Sequence, residues 1–319
     1  MSGHRPLIAA LLARCRFPPP PTAVHCAVSG GADSLALLVL AAAAGLDVTA
    51  IHVDHGLRAE SGSEVALVST VARQVGAAFQ ARQVALDPGP NLEARARRAR
   101  YGVLPEGVMT GHTADDHAET ILVNLIRGAG LDGLAPFRDE SRARHPLLAL
   151  RRWETRALCR AVDVTPFEDP SNTDRRFTRN RVRHDVLPLL AEIGRRDPVP
   201  ILVRQAELLG AEASFLDTLA AAVDPTDAKA AAAAPDVVAR RAIRSWLRAT
   251  EAERHPPSAA EVERVLDVVH GRAVGCELTG GRQVRRSGGR LTVTSSPGEP
   301  VPAGPAGPAG PVGPADPAG

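Results

Sequence analysis

The chain has 319 residues, enough for two domains with cores of their own, and 38 Lys and Arg nearly cancel 36 Asp and Glu, so bulk charge does not mark a nucleic-acid binder. No apolar run is long and charge-free enough to span a bilayer, and the N-terminal stretch lacks the uninterrupted apolar core and cleavage site of a signal peptide, so no membrane association is expected. The four cysteines, Cys15, Cys26, Cys159 and Cys276, form no C-x-x-C pair, which disfavours a zinc ribbon, an iron–sulfur site and a redox dithiol and fits a reducing cytoplasm.

In chain order, the N-terminal stretch reads as a first helix. Residues 24–28 read as a short apolar strand, 34–44 as a helix closed by Gly45, and 48–53 as a second strand. Residues 60–76 have helical spacing, with Ser61 or Ser63 as candidate caps, and 79–86 are a third strand. Asn91 is placed to cap a basic helix, residues 108–111 form another strand, and Thr113 is placed to cap the helix that follows. Strands alternating with helices predict an α/β fold with a doubly wound, mostly parallel, Rossmann-like sheet, whose ligands sit at the carboxyl ends of the strands. After about residue 188 the pattern becomes helical, over 199–223, 236–250 and 258–270. Two Gly-Gly turns, Gly280-Gly281 and Gly288-Gly289, then predict a three-stranded β meander. The expected organisation is a nucleotide-binding catalytic domain over 1–195, a smaller helical domain over 196–296 and a disordered Pro/Gly/Ala tail over 297–319.

Four segments carry chemistry. The first is Ser29-Gly30-Gly31-Ala32-Asp33-Ser34, between strand and helix. Glycines let the backbone approach a phosphate, and the N–H groups of the helix start point at it. A carboxylate beside polyphosphate requires a cation, and Mg²⁺ is the usual one, so Asp33 is the candidate metal ligand. Lys229 is the only lysine, so phosphate contacts fall to arginine, backbone or metal. The second is the block 52–58, in which His52 and Asp54 are expected to shape the nucleotide pocket. The third starts at Gly111: His112, Asp116 and Glu119 have i, i+4, i+7 spacing and share a helix face, while Asp115 points elsewhere. The paired carboxylates call for a cationic partner, an amine or Mg²⁺. The fourth is the arginine block Arg175, Arg176, Arg179, Arg181 and Arg183, suited to charge developing at an adenylated group or to a nucleic-acid backbone.

The S-G-G-x-D-S loop resembles the PP-loop of the ATP pyrophosphatase superfamily, which suits adenylation rather than γ-phosphoryl transfer. The series SGGADS, HVDHGLR, NLEARARRARY, GHTADDHAET, IRGAGLDGL and the SN…RN-x-V-R block resembles, over residues 24–188, the tRNA(Ile)-lysidine synthetases. The resemblance implies an ATP-dependent C–N ligase. It adenylates C2 of the wobble cytidine of an isoleucine tRNA with a CAU anticodon, and free L-lysine then attacks, giving lysidine, AMP and pyrophosphate. Residue by residue it implies ATP contacts at Ser29, Gly30, Gly31, Ala32, Asp33, Ser34, His52, Asp54 and Gly111, with Mg²⁺ on Asp33. His112 lies by the activated centre, Asp116 and Glu119 handle lysine, and Arg179 or Arg183 offsets charge at the adenylate. Contacts to tRNA are expected from Arg95, Arg97, Arg98, Arg175, Arg176, Arg282, Arg285 and Arg286. His145 stands where the family pattern implies an arginine, with Arg144 beside it. Oligomeric state stays open, a homodimer among the options. The rivals are cytidine thiolation, disfavoured by the scattered cysteines, small-metabolite amidation, and a non-catalytic ATP- or RNA-binding protein.

Overall fold

A computed structural model describes residues 4–54, 61–84, 92–138, 143–250 and 257–295. The expected Asn91 cap, Glu60 and the 297–319 tail lie outside the described residues. The chain divides into two compact units, Met1–Ala213 and Ser214–Gly319. The helix Pro198–Ala221 runs across that division, and the boundary drawn from sequence at 195/196 precedes it.

The first unit holds a five-stranded sheet in the order β3-β2-β1-β4-β5, with every neighbouring pair parallel. Its strands are β1 (Ala23–Ala27), β2 (Asp47–Asp54), β3 (Ala78–Gln83), β4 (Val108–Thr110) and β5 (Ala143–Arg144). The chain leaves β1 toward β2 on one side and reaches β4 on the other. The boundary between β1 and β4 is therefore the point where strand order reverses, and the crevice at the carboxyl ends of these two strands is where such folds bind ligands.

The helices of this unit are α1 (Arg5–Leu12), α2 (Ala32–Ala43), α3 (Ser61–Gln74), α4 (Leu92–Val103), α5 (Ala114–Ile126), α6 (Leu131–Leu134), α7 (Arg152–Ala161), α8 (Thr178–Arg181), α9 (Leu187–Gly194) and α10 (Pro198–Ala221). Helix α2 is apolar nearly all round. Leu35, Leu37, Leu38 and Leu40 are fully buried, because α2 lies between the sheet and α1, α3 and α7. It begins at Ala32, two residues earlier than expected, which brings Asp33 and Ser34 into its first turn. Strand β3 stops at Gln83, earlier than predicted. A second core joins Ala114, Ala118, Leu122 and Val123 of α5 to Val182, Leu187 and Val199, so the segment that carries the arginine block packs directly on α5.

The second unit contains α11 (Ala228–Ala233), α12 (Asp236–Ala249), α13 (Ala259–Val269) and the antiparallel meander β6 (Gly275–Leu278), β7 (Arg282–Ser287) and β8 (Arg290–Ser295). Ile243, Leu247, Val265, Leu266, Val284 and Leu291 form its core. Ser258 caps α13 by accepting from Glu261 N–H at 3.2 Å, while the Glu261 carboxylate receives Ser258 N–H and Thr279 N–H, each at 2.8 Å. Among the described residues, no helix is long and apolar enough to cross a membrane.

Leu38 lies at the centre of the first core, so Leu38→Ala is expected to cost about 2–5 kcal/mol. Denaturant unfolding of the first unit checks this; a loss under about 1 kcal/mol would show that α2 is not the packing centre described.

Candidate active site

Strand β1 ends at Ala27, and the next residues form the loop that sequence singled out. Gly30 has φ of 86°, a left-handed conformation that favours glycine, and its Phe167 neighbour donates N–H to the Gly30 carbonyl at 2.9 Å. Gly31 is the N-cap of α2. Ser34 donates its hydroxyl to the Gly31 carbonyl at 2.9 Å and accepts from Ser29 N–H at 3.1 Å. The loop is thus braced internally, and the free N–H end of α2 faces the crevice. His52 is buried, and its Nδ1 donates to the Val28 carbonyl at 2.9 Å. Its place is beneath the root of the loop, as a strut for the β1 end. Asp54 closes β2 at the same edge of the sheet.

The loop after β4 comes hard against this turn. A Cβ on Gly111 would lie 2.5 Å from the Asp33 carbonyl oxygen and 2.9 Å from Ser34 N, so only glycine lets the two loops meet. Thr113 precedes α5, and its N–H and hydroxyl both donate to Asp116 Oδ2 at 2.9 Å. Asp115 points away from this face. It takes Arg151 through two N–H groups at 3.0 and 3.1 Å and the Arg152 backbone N–H at 2.8 Å, clamping the start of α7 to α5.

That clamp delivers Arg152, a residue the sequence reading missed. Its Nη2 donates to Asp116 Oδ1 at 2.8 Å, its Nη1 to Glu119 Oε1 at 2.9 Å, and its Nε lies 3.5 Å from Asp33 Oδ2. Arg179, on α8, donates to Asp116 Oδ1 at 3.0 Å and Glu119 Oε2 at 2.9 Å. Arg183, in the wider π-type turn Val182–Val186, grips Glu119 with two N–H groups at 2.7 and 3.0 Å. Three carboxylates and three guanidiniums therefore form one cluster. Neither α5 acid is bare: each already has cationic partners from within the chain.

The electrostatics follow from this geometry. Burial opposes ionisation of Asp116, but Arg152 and Arg179 outweigh it and hold the carboxyl below its usual range. Glu119, fully buried, is likewise lowered: burial opposes, and Arg183 and Arg152 prevail over burial and the nearby Asp116 charge. Asp33 goes the other way. Burial, and then the Asp116 charge, push it up to about 6 against the opposing Thr155 hydroxyl and Arg152. Thr155 donates to Asp33 Oδ1. With its side chain a quarter exposed at the helix start, Asp33 keeps acceptor capacity among the described residues. One carboxylate beside substrate phosphates is how Mg²⁺ is commonly held, so Asp33 fits that ion.

His112 sits beside this cluster. Its Nδ1 is 2.7 Å from the Thr110 hydroxyl, which is 2.7 Å from His145 Nδ1, and Phe137 packs edge-on to His145. His145 is buried, so at the position where an arginine was expected the chain builds a histidine–threonine–histidine contact. His117 is buried against Phe137 with no hydrogen-bond partner to either ring nitrogen among the described residues, and burial lowers it to about 4, leaving it neutral.

The arginine block divides. Arg179 and Arg183 point inward. Arg175 pairs with Asp185 at 3.0 Å and Arg176 with Asp174 at 2.7 Å, both on the surface. Buried Asn180 pins the loop by donating to the carbonyls of Ser171 and Asp174 at 2.7 and 2.9 Å. Arg95 is half-buried on α4; the side chains of Arg97 and Arg98 lie outside the described residues. In the second unit, Arg285 is exposed, but Arg282 is buried, and Arg286 donates to the Val269 carbonyl at 2.9 Å at the end of α13. Of the three hairpin arginines expected to contact tRNA, Arg285 and Arg286 are exposed and Arg282 is buried.

The fold and loop define a PP-loop protein: residues 8–190 match the PP-loop domain family, ATP_bind_3. Residues 227–292 match the TilS substrate binding domain. The tRNA(Ile)-lysidine synthase of Nocardia farcinica is 37% identical over 294 residues, covering 85% of this chain and 91% of that protein. The protein of the same name from Mycobacterium leprae is 42% identical over 239 residues, covering 69% and 73%. The chain belongs to the tRNA(Ile)-lysidine synthase family. The solved U34-tRNA thiolase NcsA from Methanococcus maripaludis has the same core fold, with a TM-score of 0.54 at 17% identity over 65% of this chain and 78% of that one.

Two outcomes are expected. Gly111→Ala drives a methyl group into the Asp33 backbone, so it should reduce Mg²⁺-ATP affinity at least tenfold; unchanged affinity would mean the two loops do not need their close approach. For Asp33, the carboxyl titrates near 3.8 unfolded and near 6 folded. Protonation therefore favours the fold, and stability is lost as pH rises between these values and stays lost at neutral pH. Asp33→Asn keeps an acceptor for Thr155 and removes the charge, so the ligand-free variant should melt no lower than the parent at pH 7.5, with no advantage at pH 3.5. A clear drop in Tm at pH 7.5 would contradict the environment assigned to Asp33.

Proposed function

We propose that this chain ligates free L-lysine to C2 of the wobble cytidine of an isoleucine tRNA with a CAU anticodon, at the expense of ATP. The C2 oxygen attacks the α-phosphorus and pyrophosphate leaves, giving an adenylated cytidine. The ε-amine of lysine then attacks C2, AMP departs with the oxygen, and the amine loses its proton. The observation that carries this reading is one juxtaposition: a pyrophosphate-type loop abutting a cluster of carboxylates and arginines, in a chain that matches proteins bearing the lysidine synthase name over 73% and 91% of their length.

The roles follow from the chemistry of each group. N–H groups from Gly31 to Ser34 at the start of α2 bind the departing pyrophosphate. Asp33 would hold Mg²⁺, which when bound supplies charge neutralisation at the phosphates. Arg179 and Arg183 supply the guanidinium charge that offsets the adenylate. Asp116 and Glu119 hold the lysine ammonium and orient it for proton loss, and His112 borders the activated carbon. Arg285 and the exposed Arg175 and Arg176 supply phosphate contacts to tRNA. The ligase class, the lysine and the tRNA partner all belong to this reading.

The direct test is transfer of labelled lysine, with Mg²⁺-ATP, to an isoleucine tRNA with a CAU anticodon beside an initiator methionine tRNA with the same anticodon. Incorporation into the first alone is expected. AMP formation that depends on tRNA without lysine incorporation would overturn the nucleophile, and AMP formation without tRNA would overturn the substrate. For the second unit, Arg285→Ala should weaken tRNA binding and reduce the salt slope by about 1; an unchanged slope would remove Arg285 from the interface.

A further inference from the structure

The two acids assigned to the amine present a difficulty that the cluster itself exposes. An ionised carboxylate has about four acceptor positions. On Glu119 they are filled: Oε1 takes Arg152 at 2.9 Å and Arg183 at 2.7 Å, and Oε2 takes Arg179 at 2.9 Å and Arg183 at 3.0 Å. On Asp116 they are filled too: Oδ1 takes Arg152 at 2.8 Å and Arg179 at 3.0 Å, and Oδ2 takes the Thr113 N–H and hydroxyl. A substrate ammonium has no vacant acceptor on either acid. The charges also balance, Asp33, Asp116 and Glu119 against Arg152, Arg179 and Arg183. A further cation would leave this low-dielectric site with unbalanced charge unless an anion came with it.

We propose that Arg152 is a positioning residue that occupies the amine seat and yields it only when nucleotide phosphate is present, so that amine binding depends on ATP. This rests on the amine reading above. Arg152, like Arg179, makes one N–H contact to each α5 acid, whereas Arg183 holds Glu119 by two. Arg152 is the member aimed at the phosphate loop, with Nε 3.5 Å from Asp33 Oδ2 and the Asp33 contact too long for a hydrogen bond. Its backbone stays anchored by Asp115, so the side chain can turn while α7 does not. Polyphosphate at the start of α2 offers the guanidinium stronger anionic partners. Its departure opens one acceptor on Asp116 and one on Glu119, side by side on one face of α5, for the N–H donors of an ammonium. The order is therefore nucleotide first, amine second, and by linkage the amine tightens nucleotide binding by the same factor.

The test is equilibrium dialysis of labelled lysine against the full chain, with and without Mg²⁺ and α,β-methylene ATP, for the parent, Arg152→Met and Arg152→Lys. The parent should bind lysine at least tenfold more tightly with the nucleotide analogue. Arg152→Met, which removes the resident cation, should bind lysine without nucleotide, with the enhancement falling below threefold. Arg152→Lys, which keeps the charge, should retain most of it; a residue needed only for packing would make the two variants alike. Lysine binding to the parent that ignores nucleotide overturns the proposal, as does parent-like enhancement in Arg152→Met. Nucleotide binding by each variant reports that it has folded, and if Arg152→Met does not fold, the parent and Arg152→Lys decide. Nucleotide binding with no lysine binding to any form would overturn the amine reading itself.

Discussion

The carboxylate of Glu119 is fully buried and ionised, and it receives four N–H groups from three arginines. An uncompensated charge at that depth costs several kcal/mol, so the surrounding elements are obliged to keep their arginines in place. Arg152 comes from the first residue of α7, Arg179 from α8 and Arg183 from the π-type turn that follows. One side chain on α5 thereby fixes three segments distant from it in sequence. The apolar contact of Ala118 and Leu122 with Val182 and Leu187 places the arginine-bearing segment at the correct distance.

The sheet supplies the other half of the site. Because β1 and β4 are neighbours across the reversal of strand order, the loop that follows β1 and the loop that follows β4 must meet at one edge. Gly111 lets them meet closely. Asp33, at the start of α2, then faces α5, and burial, followed by the Asp116 charge, keeps its carboxyl raised while the arginines keep the other two low. Three carboxylates of similar intrinsic acidity are thus separated in behaviour by burial and partner alone. The one left under-satisfied is the one next to the phosphate loop, where a cation is needed.

Much of this was legible in the sequence. The alternation of strands and helices predicted the parallel sheet, and helical spacing placed Asp116 and Glu119 on one face of α5; His112, expected on that same helical face, instead precedes the extended Thr113 cap and lies outside the helix. The Gly-Gly turns predicted the meander. What escaped was whatever depends on tertiary partners. Arg152 sits in an Arg-Arg pair with no periodic or motif signal of its own; its role exists only because Asp115 clamps α7 to α5. His52 read as a pocket residue because its position at a strand end is right, but its ring turns beneath the loop to meet the Val28 carbonyl. Arg282 and Arg286 looked alike on the hairpin, yet strand alternation buries the first, and a helix end captures the second.

The central claim is that Glu119 and its arginines form one interdependent charge cluster. A double-mutant cycle on unfolding free energy, with Glu119→Gln, Arg183→Met and the pair together, tests it most directly. If the claim holds, each single substitution strands a buried charge and costs about 3 kcal/mol or more, while the double variant costs well under the sum, a coupling of at least about 1 kcal/mol. Additive effects, or single substitutions that cost less than about 0.5 kcal/mol, would contradict it.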